Sequence, residues 1–128
     1  MNKGIIIHCS DSPNDRVVTA ADIHQWHKER GFDGIGYHYV IRRDGGLEHG
    51  RPEYWTGAHA KGYNDCIGVC LVGRDEFTDA QWKTLKMLLL NLSLEHGFKA
   101  EDIKGHCEVN PNKTCPNFDV RKFVEGLK

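Results

Sequence analysis

The chain has 128 residues, close to the size of one ordinary domain, so folding can bury roughly two thirds of the surface of the unfolded chain. Its 17 Lys and Arg against 18 Asp and Glu give a formal charge of -1, which excludes a general electrostatic attraction to nucleic acid phosphates. We therefore expect a single domain over residues 1–128 and no nucleic acid partner.

The N-terminal segment predicts a short buried strand. Residues 4–9 are rich in β-branched side chains, and a cluster of turn-forming residues at 11–15 ends the run. Its three consecutive Ile are too few for a signal peptide or a membrane span. We expect a soluble chain made in the cytoplasm, without stable membrane association, and with His8 near the C-terminal end of this strand.

A helix and a hairpin follow the first strand. Thr19 is a predicted N-cap, and Gly31 follows the basic end of the same helix. Residues 37–43 alternate in the manner of a strand, and an Asp-Gly-Gly turn allows residues 47–50 to return as the hairpin partner. Residues 51–65 form a long polar and aromatic loop.

Strands and helices also alternate in the second half of the chain. Residues 66–72 are almost wholly apolar, as expected for a central strand covered on both faces. Thr78 starts a long amphipathic helix that Gly97 ends, residues 103–107 predict a short strand, and Asp119 caps a last helix. The predicted fold is α/β, with helices flanking a mixed central β-sheet.

The segment GHCEVNPNKTCP carries an unusual density of reactive side chains. A catalytic zinc ion takes three protein ligands from His, Cys and carboxylates and leaves a fourth position for water, and the distant His8 would complete such a set. The chain has no CxxC pair, so the spacing matches no standard zinc finger. The candidate residues of the segment are His106, Cys107, Glu108, Lys113 and Cys115.

Several of these side chains also have an ordinary structural interpretation. Five cysteines without regular spacing indicate reduced thiols, and Cys9, Cys66 and Cys70 lie in apolar strands where a free Cys packs as a small hydrophobe. Side chains alternate in an extended segment, so His106 and Cys107 are not both expected to face one metal ion. The residues alone leave the choice between these two open.

Lys113 and Tyr37 are weaker candidates when taken alone. The residue before Pro116 is steered toward an extended conformation, which projects Lys113 and Cys115 to the same side. A lone Lys is by default a solvated surface residue, and Tyr37 is by default a half-buried aromatic side chain on a strand. If Cys115 binds a metal ion, Lys113 lies beside it.

Five segments of the chain are informative when taken together. In chain order they are IIIHCS, GYHYVIRRDG, HAKGYN, IGVCLVG and HCEVNPNKTCP. Their combination and order resemble the type 2 N-acetylmuramoyl-L-alanine amidases, in particular the short single-domain phage lysozymes of that family. The similarity runs from about residue 4 to about residue 125. The family also includes the peptidoglycan recognition proteins, and the resemblance implies its fold, a mixed central sheet flanked by helices.

The resemblance implies roles for particular residues. It implies a Zn²⁺ ion bound by His8, His106 and Cys115, with Tyr37 and Lys113 as catalytic residues. It also places the loop that contains His59, Lys61 and Asn64 near the substrate groove. The implied substrate is bacterial peptidoglycan, cut at the amide that joins the lactyl group of N-acetylmuramic acid to L-alanine.

The same resemblance leaves two other functions open. Some relatives bind peptidoglycan without cutting it, but loss of the cysteine ligand would be expected of such a module, and Cys115 is present. Some phage amidases also inhibit a phage RNA polymerase. The leading interpretation is an endolysin: a monomer that accumulates in the host cytoplasm and reaches the cell wall in the periplasm after holin-type release.

Overall fold

The computed structural model describes residues 3–127, which form one five-stranded sheet and its flanking helices. The strands are β1 (Ile5–Cys9), β2 (Tyr39–Ile41), β3 (Leu47–His49), β4 (Ile67–Leu71) and β5 (Ile103–Gly105). The helices are α1 (Ala20–Glu29), α2 (Asp79–His96), α3 (His106–Val109) and α4 (Val120–Glu125), with a 3₁₀ turn at Ala100–Asp102. None of the helices within residues 3–127 combines the length and apolar character needed to span a bilayer.

The sheet is mixed, with strand order β3-β2-β4-β1-β5. Strand β2 pairs antiparallel with β3, as expected for a hairpin, whereas the other three pairings are parallel. The central strand β4 is buried along its whole length, which confirms the sequence prediction for this segment. Because β1, β2, β4 and β5 are parallel, their carboxyl ends meet at one edge of the sheet, where ligand sites of open α/β sheets are commonly found.

Local capping interactions define the two long helices. The Thr19 side chain accepts a hydrogen bond from the backbone N–H of Asp22, and Thr78 does the same for Gln81, so both predicted N-caps are confirmed. Helix α2 ends at Gly97, whose φ of 73° is a left-handed conformation that favours glycine. The N-cap at Asp119 also forms, and its side chain accepts from the Lys122 N–H.

Alternate residues of the strands face two different layers. Ile5, Ile7 and Leu71 belong to the main core, which α2 and α4 cover with Leu85, Leu89 and other apolar side chains. The opposite face of the sheet carries Val40 and Cys70 beneath α1. His8 lies on this second face and is paired in register with Cys70 of β4. The fold therefore buries a histidine at the edge where four parallel strands end.

Two predicted strand boundaries were wrong. The strand predicted over residues 37–43 is confined to Tyr39–Ile41, so Tyr37 lies in the irregular segment that precedes it. The strand predicted over residues 103–107 ends at Gly105, because the Gly105 N–H donates to the Glu108 carboxylate at 2.6 Å and the chain turns into α3. His106 and Cys107 are thus the first residues of a helix and not alternating residues of a strand.

Candidate metal and catalytic centre

The sheet topology brings His8 and His106 together. Strands β1 and β5 are parallel with Ile7 opposite Gly105, so the next residue of each chain segment is a histidine at the same edge. The two imidazole rings are 4.5 Å apart between centroids. Two residues 98 positions apart therefore become neighbours through the pairing of β1 with β5.

Cys115 completes the group from the C-terminal segment. Its Sγ accepts a hydrogen bond of 2.9 Å from the backbone N–H of Cys9, and its carbonyl accepts one of 2.8 Å from the N–H of Cys107. One ligand atom each from His8, His106 and Cys115 lies within 4.8 Å of the others. The three residues that the family resemblance implies as ligands therefore converge on one point.

The surroundings keep both histidines neutral. Burial lowers the pKa of His8 well below its usual range, and the neighbouring His59 and His106 lower it further. Burial and the positive charge of Lys113 lower the pKa of His106. Neutral imidazoles are the form that binds metal ions, so these two side chains are suited to act as ligands at neutral pH.

The cysteine is suited to the same role. Hydrogen bonding with the Cys9 thiol and burial raise the pKa of Cys115, whereas the Cys9 backbone N–H acts in the opposite direction. A cation bound at this point would favour the thiolate form of Cys115. The Cys9 N–H already holds the Cys115 sulfur in place. Two imidazoles and one thiolate form a donor set found in catalytic zinc sites with an open fourth position, so the residues fit such an ion.

The other reactive residues of the same segment lie elsewhere. Cys107 is only partly buried and does not belong to the converging group. Glu108 accepts from the Gly105 N–H and pairs with Arg121 at 3.1 Å, so its carboxylate stabilises the start of α3. Of His106 and Cys107, between which the residues alone left the choice open, only His106 belongs to the converging group.

Tyr37 lies against the ligand group. Its ring centroid is 5.0 Å from that of His8 and 5.4 Å from that of His27. Burial and the nearby thiols of Cys70 and Cys115 raise the pKa of Tyr37 well above 10. The phenol is therefore protonated at neutral pH and has a proton to donate.

Lys113 stands at the rim of the cavity that opens above the three ligands. The cavity has a volume of about 770 Å³, and Tyr37, His106 and Cys115 line it with Lys113. The Lys113 side chain is exposed, and its charge reaches His106 strongly enough to affect the histidine's pKa. A positive charge thus stands next to the point where the ligands meet, on the side open to solvent.

The long loop supplies another wall of this cavity. His59, Lys61 and Asn64 all line it, which agrees with their predicted place near the groove. Asn64 also has a structural role, because its Oδ1 accepts the N–H groups of His59 and Ala60 at 2.8 and 2.9 Å. His59 differs from the other two, since burial lowers its pKa to about 4 and its ring contacts His8 directly.

Sequence reasoning missed several residues around the site. His27, Arg30 and Phe32 from α1 and the turn after it also line the cavity. The His27 Nδ1 accepts the Gly36 N–H at 2.8 Å, which anchors the segment leading to Tyr37. The helical spacing of His27 relative to Ile23 places both on the inward face of α1 and was the available signal.

Comparison with known sequences gives a consistent result. A model of the family described as N-acetylmuramoyl-L-alanine amidase matches residues 2–118. The chain is 42% identical over 130 residues to the endolysin of Escherichia phage T7, an alignment that covers 94% of this chain and 84% of that endolysin. The similarity therefore extends well beyond the site and includes nearly all of the fold.

Solved structures with the same architecture support this result. The N-acetylmuramoyl-L-alanine amidase LysC from Clostridium intestinale URNW superposes with a TM-score of 0.88 at 32% identity, covering 98% of this chain and 85% of LysC. Wild-type Drosophila PGRP-LB gives a TM-score of 0.80 at 29% identity, covering 97% and 78% of the two chains. The predicted fold class, a mixed sheet flanked by helices, is confirmed.

Proposed function

The chain belongs to the N-acetylmuramoyl-L-alanine amidase family, and we propose that His8, His106 and Cys115 bind the zinc ion on which its activity depends. The activity is hydrolysis of the amide bond between N-acetylmuramoyl groups and L-alanine in bacterial peptidoglycan, as in endolysins. The observation that carries the metal proposal is the convergence of two neutral imidazoles and one sulfur at the floor of a single cavity.

Side chains of the protein would assist the reaction beside the bound metal ion, and Tyr37 is the first of them. Zinc bound at this point would polarise the amide carbonyl and acidify a water molecule. The Tyr37 phenol, protonated because burial raises its pKa, donates a hydrogen bond that orients the attacking water or relays a proton toward the departing nitrogen. Tyr37 is suited to this role by its place against His8, within the same cavity.

Lys113 supplies positive charge where negative charge develops. A thiolate ligand leaves the site with less positive charge than three neutral ligands would, so additional stabilisation of the tetrahedral oxyanion is valuable. The Lys113 ammonium is at the cavity rim, close enough to His106 to lower the pKa of that ring. We assign the oxyanion contact to Lys113 and the binding of the glycan and peptide to the wall formed by His59, Lys61 and Asn64.

The cellular setting follows the endolysin interpretation. We propose that the protein acts as a monomer on the cell wall after release from the host cytoplasm through a holin-type lesion. Inhibition of a phage RNA polymerase stays a separate prediction, which a pull-down with the cognate polymerase would test. A purely binding module is disfavoured by the retention of Cys115 together with both histidines.

One experiment tests the reaction and the metal together. Purified peptidoglycan is digested, and the products are examined by mass spectrometry while the zinc content of the protein is measured. We expect new free L-alanine amino ends and one zinc ion per chain, with activity lost on prolonged chelation and restored by added zinc. New reducing sugar ends would contradict the amidase assignment, and full activity in metal-stripped protein would contradict the zinc proposal.

A further inference from the structure

The ring of His59 forms a bridge between the ligand His8 and the protein backbone. Its Nδ1 is 2.9 Å from the Nε2 of His8, and its own Nε2 is 2.9 Å from the carbonyl oxygen of Cys66. The rings of His8 and His59 meet edge to face at 88°, with centroids 4.9 Å apart. Two hydrogen bonds therefore link the candidate metal centre to the residue that precedes β4.

The direction of these two bonds follows from the carbonyl. A carbonyl oxygen can only accept, so the Nε2 of His59 carries the proton, and in a neutral ring Nδ1 then presents a lone pair. The partner of that lone pair must donate, which places a proton on the Nε2 of His8. The lone pair of a neutral His8 is therefore on Nδ1.

This nitrogen has no partner in the part of the chain that the structure describes. Among residues 3–127 the Nδ1 of His8 makes no hydrogen bond, and His8 lines the cavity. We propose that Nδ1 is the metal-binding atom of His8 and that His59 is a positioning residue, which fixes the tautomer and orientation of the His8 ring. The inference rests on the proposed zinc site and assigns His59 a role beyond lining the groove.

The surrounding chain is built to hold the His59 ring. A Cβ added at Gly68 would lie 2.7 Å from the ring's Cγ and Cδ2, and one added at Gly57 would lie 2.5 Å from Cδ2. Both positions therefore require glycine for the ring to fit. Asn64 holds the backbone of the same residue by accepting the His59 N–H at 2.8 Å. A side chain that served only as an occasional substrate contact would not need this enclosure.

Other metal sites indicate how much zinc affinity should fall when His59 is removed. A metal-binding histidine usually donates its second ring N–H to a carbonyl, carboxylate or water, and loss of that partner typically weakens metal binding about 10- to 100-fold. Here the acceptor is the Nδ1 of a second histidine, His59. The hydrogen bond from the His59 Nε2 to the Cys66 carbonyl in turn fixes the orientation of the His59 ring. A purely substrate-binding His59 would instead change KM and leave zinc affinity unaltered.

Nuclear magnetic resonance of the wild-type protein tests the assignment directly. Long-range ¹H–¹⁵N spectra of the zinc-loaded protein distinguish the two nitrogens of each histidine. We expect the proton of His8 on Nε2 with Nδ1 bound to zinc, and the proton of His59 on Nε2. A His8 proton on Nδ1, or a His59 proton on Nδ1, would overturn the inference without any variant.

Zinc affinity, measured by chelator competition, provides the second test. His59→Ala should weaken zinc binding about 10- to 100-fold, and His59→Asn should recover part of the loss because its Oδ1 can accept from His8. Lys61→Ala is the matched control, since Lys61 lines the same cavity two residues away and its side chain has no hydrogen bond to a ligand. Its zinc affinity should equal that of the wild type.

The outcomes separate this inference from the proposed function. If the wild type binds one zinc ion and releases L-alanine ends while His59→Ala keeps the same zinc affinity, His59 is not a positioning residue and the amidase assignment is untouched. If the wild type binds no zinc, both the metal proposal and the inference about His59 are wrong. Should His59→Ala not fold, the spectra of the wild-type protein decide alone.

Discussion

The backbone N–H of Cys9 donates a hydrogen bond of 2.9 Å to the sulfur of Cys115, 106 positions later in the chain. This bond ties the C-terminal segment to the end of β1, directly after the candidate ligand His8. Because the donor is a backbone group in a paired strand, the sulfur is held in place by the sheet itself. The candidate metal site and the sheet edge are therefore one structural unit.

Replacing this sulfur should remove the metal. Cys115→Ser substitutes a weakly acidic hydroxyl for a thiol, and a hydroxyl is a poor zinc ligand at neutral pH. We expect loss of both bound zinc and amidase activity, measured by metal analysis and by product release from purified cell walls. Cys107→Ser, outside the ligand group, is the matched control and should keep both. Full activity in Cys115→Ser would refute the metal assignment.

Loss of the charge at the cavity rim should affect the reaction and not the metal. In Lys113→Ala we expect full zinc content and a fall in kcat of roughly 10²-fold or more, because the oxyanion loses its cationic partner. Lys86→Ala, which removes an exposed lysine from α2, serves as the control. A Lys113→Ala enzyme with near wild-type kcat would remove this lysine from the mechanism.

Removal of one hydroxyl tests Tyr37. Burial raises the pKa of this phenol, so the hydroxyl keeps its proton over the whole neutral range. Tyr37→Phe keeps the ring that packs on His8, and we expect unchanged zinc content with kcat reduced about 10²-fold. Kinetics between pH 6 and 9 should show a uniform loss; a loss restricted to high pH would indicate a phenolate instead.

Most secondary structure could be predicted because its signals are local. The capping boxes at Thr19 and Thr78 each depend on residues three positions apart, and both helices begin where these pairs indicate. The strand before His106 was less predictable. Its end at Gly105 depends on a side chain three residues further on, Glu108, that competes for the backbone N–H.

Most of the candidate centre could not be predicted from local sequence signals. The choice of His106 requires the parallel pairing of β1 with β5, which no nearby residue encodes. The contact between His8 and His59 spans 51 positions and depends on how the long loop folds back over the sheet. Gly57 and Gly68 make room for that ring, but two glycines alone do not indicate which side chain they accommodate.

Two leucines of α2 provide a test of the core. Leu89 is fully buried against the sheet, whereas Leu94 on the same helix is 85% exposed. We expect Leu89→Ala to lower the free energy of unfolding by about 2–5 kcal/mol, since it leaves a cavity. Leu94→Ala should change it by less than about 0.5 kcal/mol. Urea unfolding of both variants measures the difference, and equal losses would contradict the described packing.

A buried histidine outside the ligand group should make the fold sensitive to acid. His38 is 1% exposed, its Nδ1 accepts the Gly68 N–H at 2.9 Å, and its Nε2 donates to the Trp55 carbonyl at 2.8 Å. Burial lowers the pKa of His38 from its ordinary value of 6.5. Protonation at Nδ1 would break the bond to Gly68, which lies in the central strand.

The sign of the effect follows from proton binding. Below an ordinary pKa of 6.5 the unfolded chain takes up a proton at His38 that the folded chain resists, so acid favours unfolding. The contribution of neutral His38 to the free energy of unfolding is fully present above about pH 6.5, and it is lost as the pH falls toward the depressed pKa of the folded state. Urea unfolding between pH 8 and 5, with chelator present so that metal release does not contribute, should show a steeper decline for the wild type than for His38→Asn. That variant keeps an acceptor for Gly68 but has no titrating ring, so parallel curves would mean that His38 does not control the acid sensitivity.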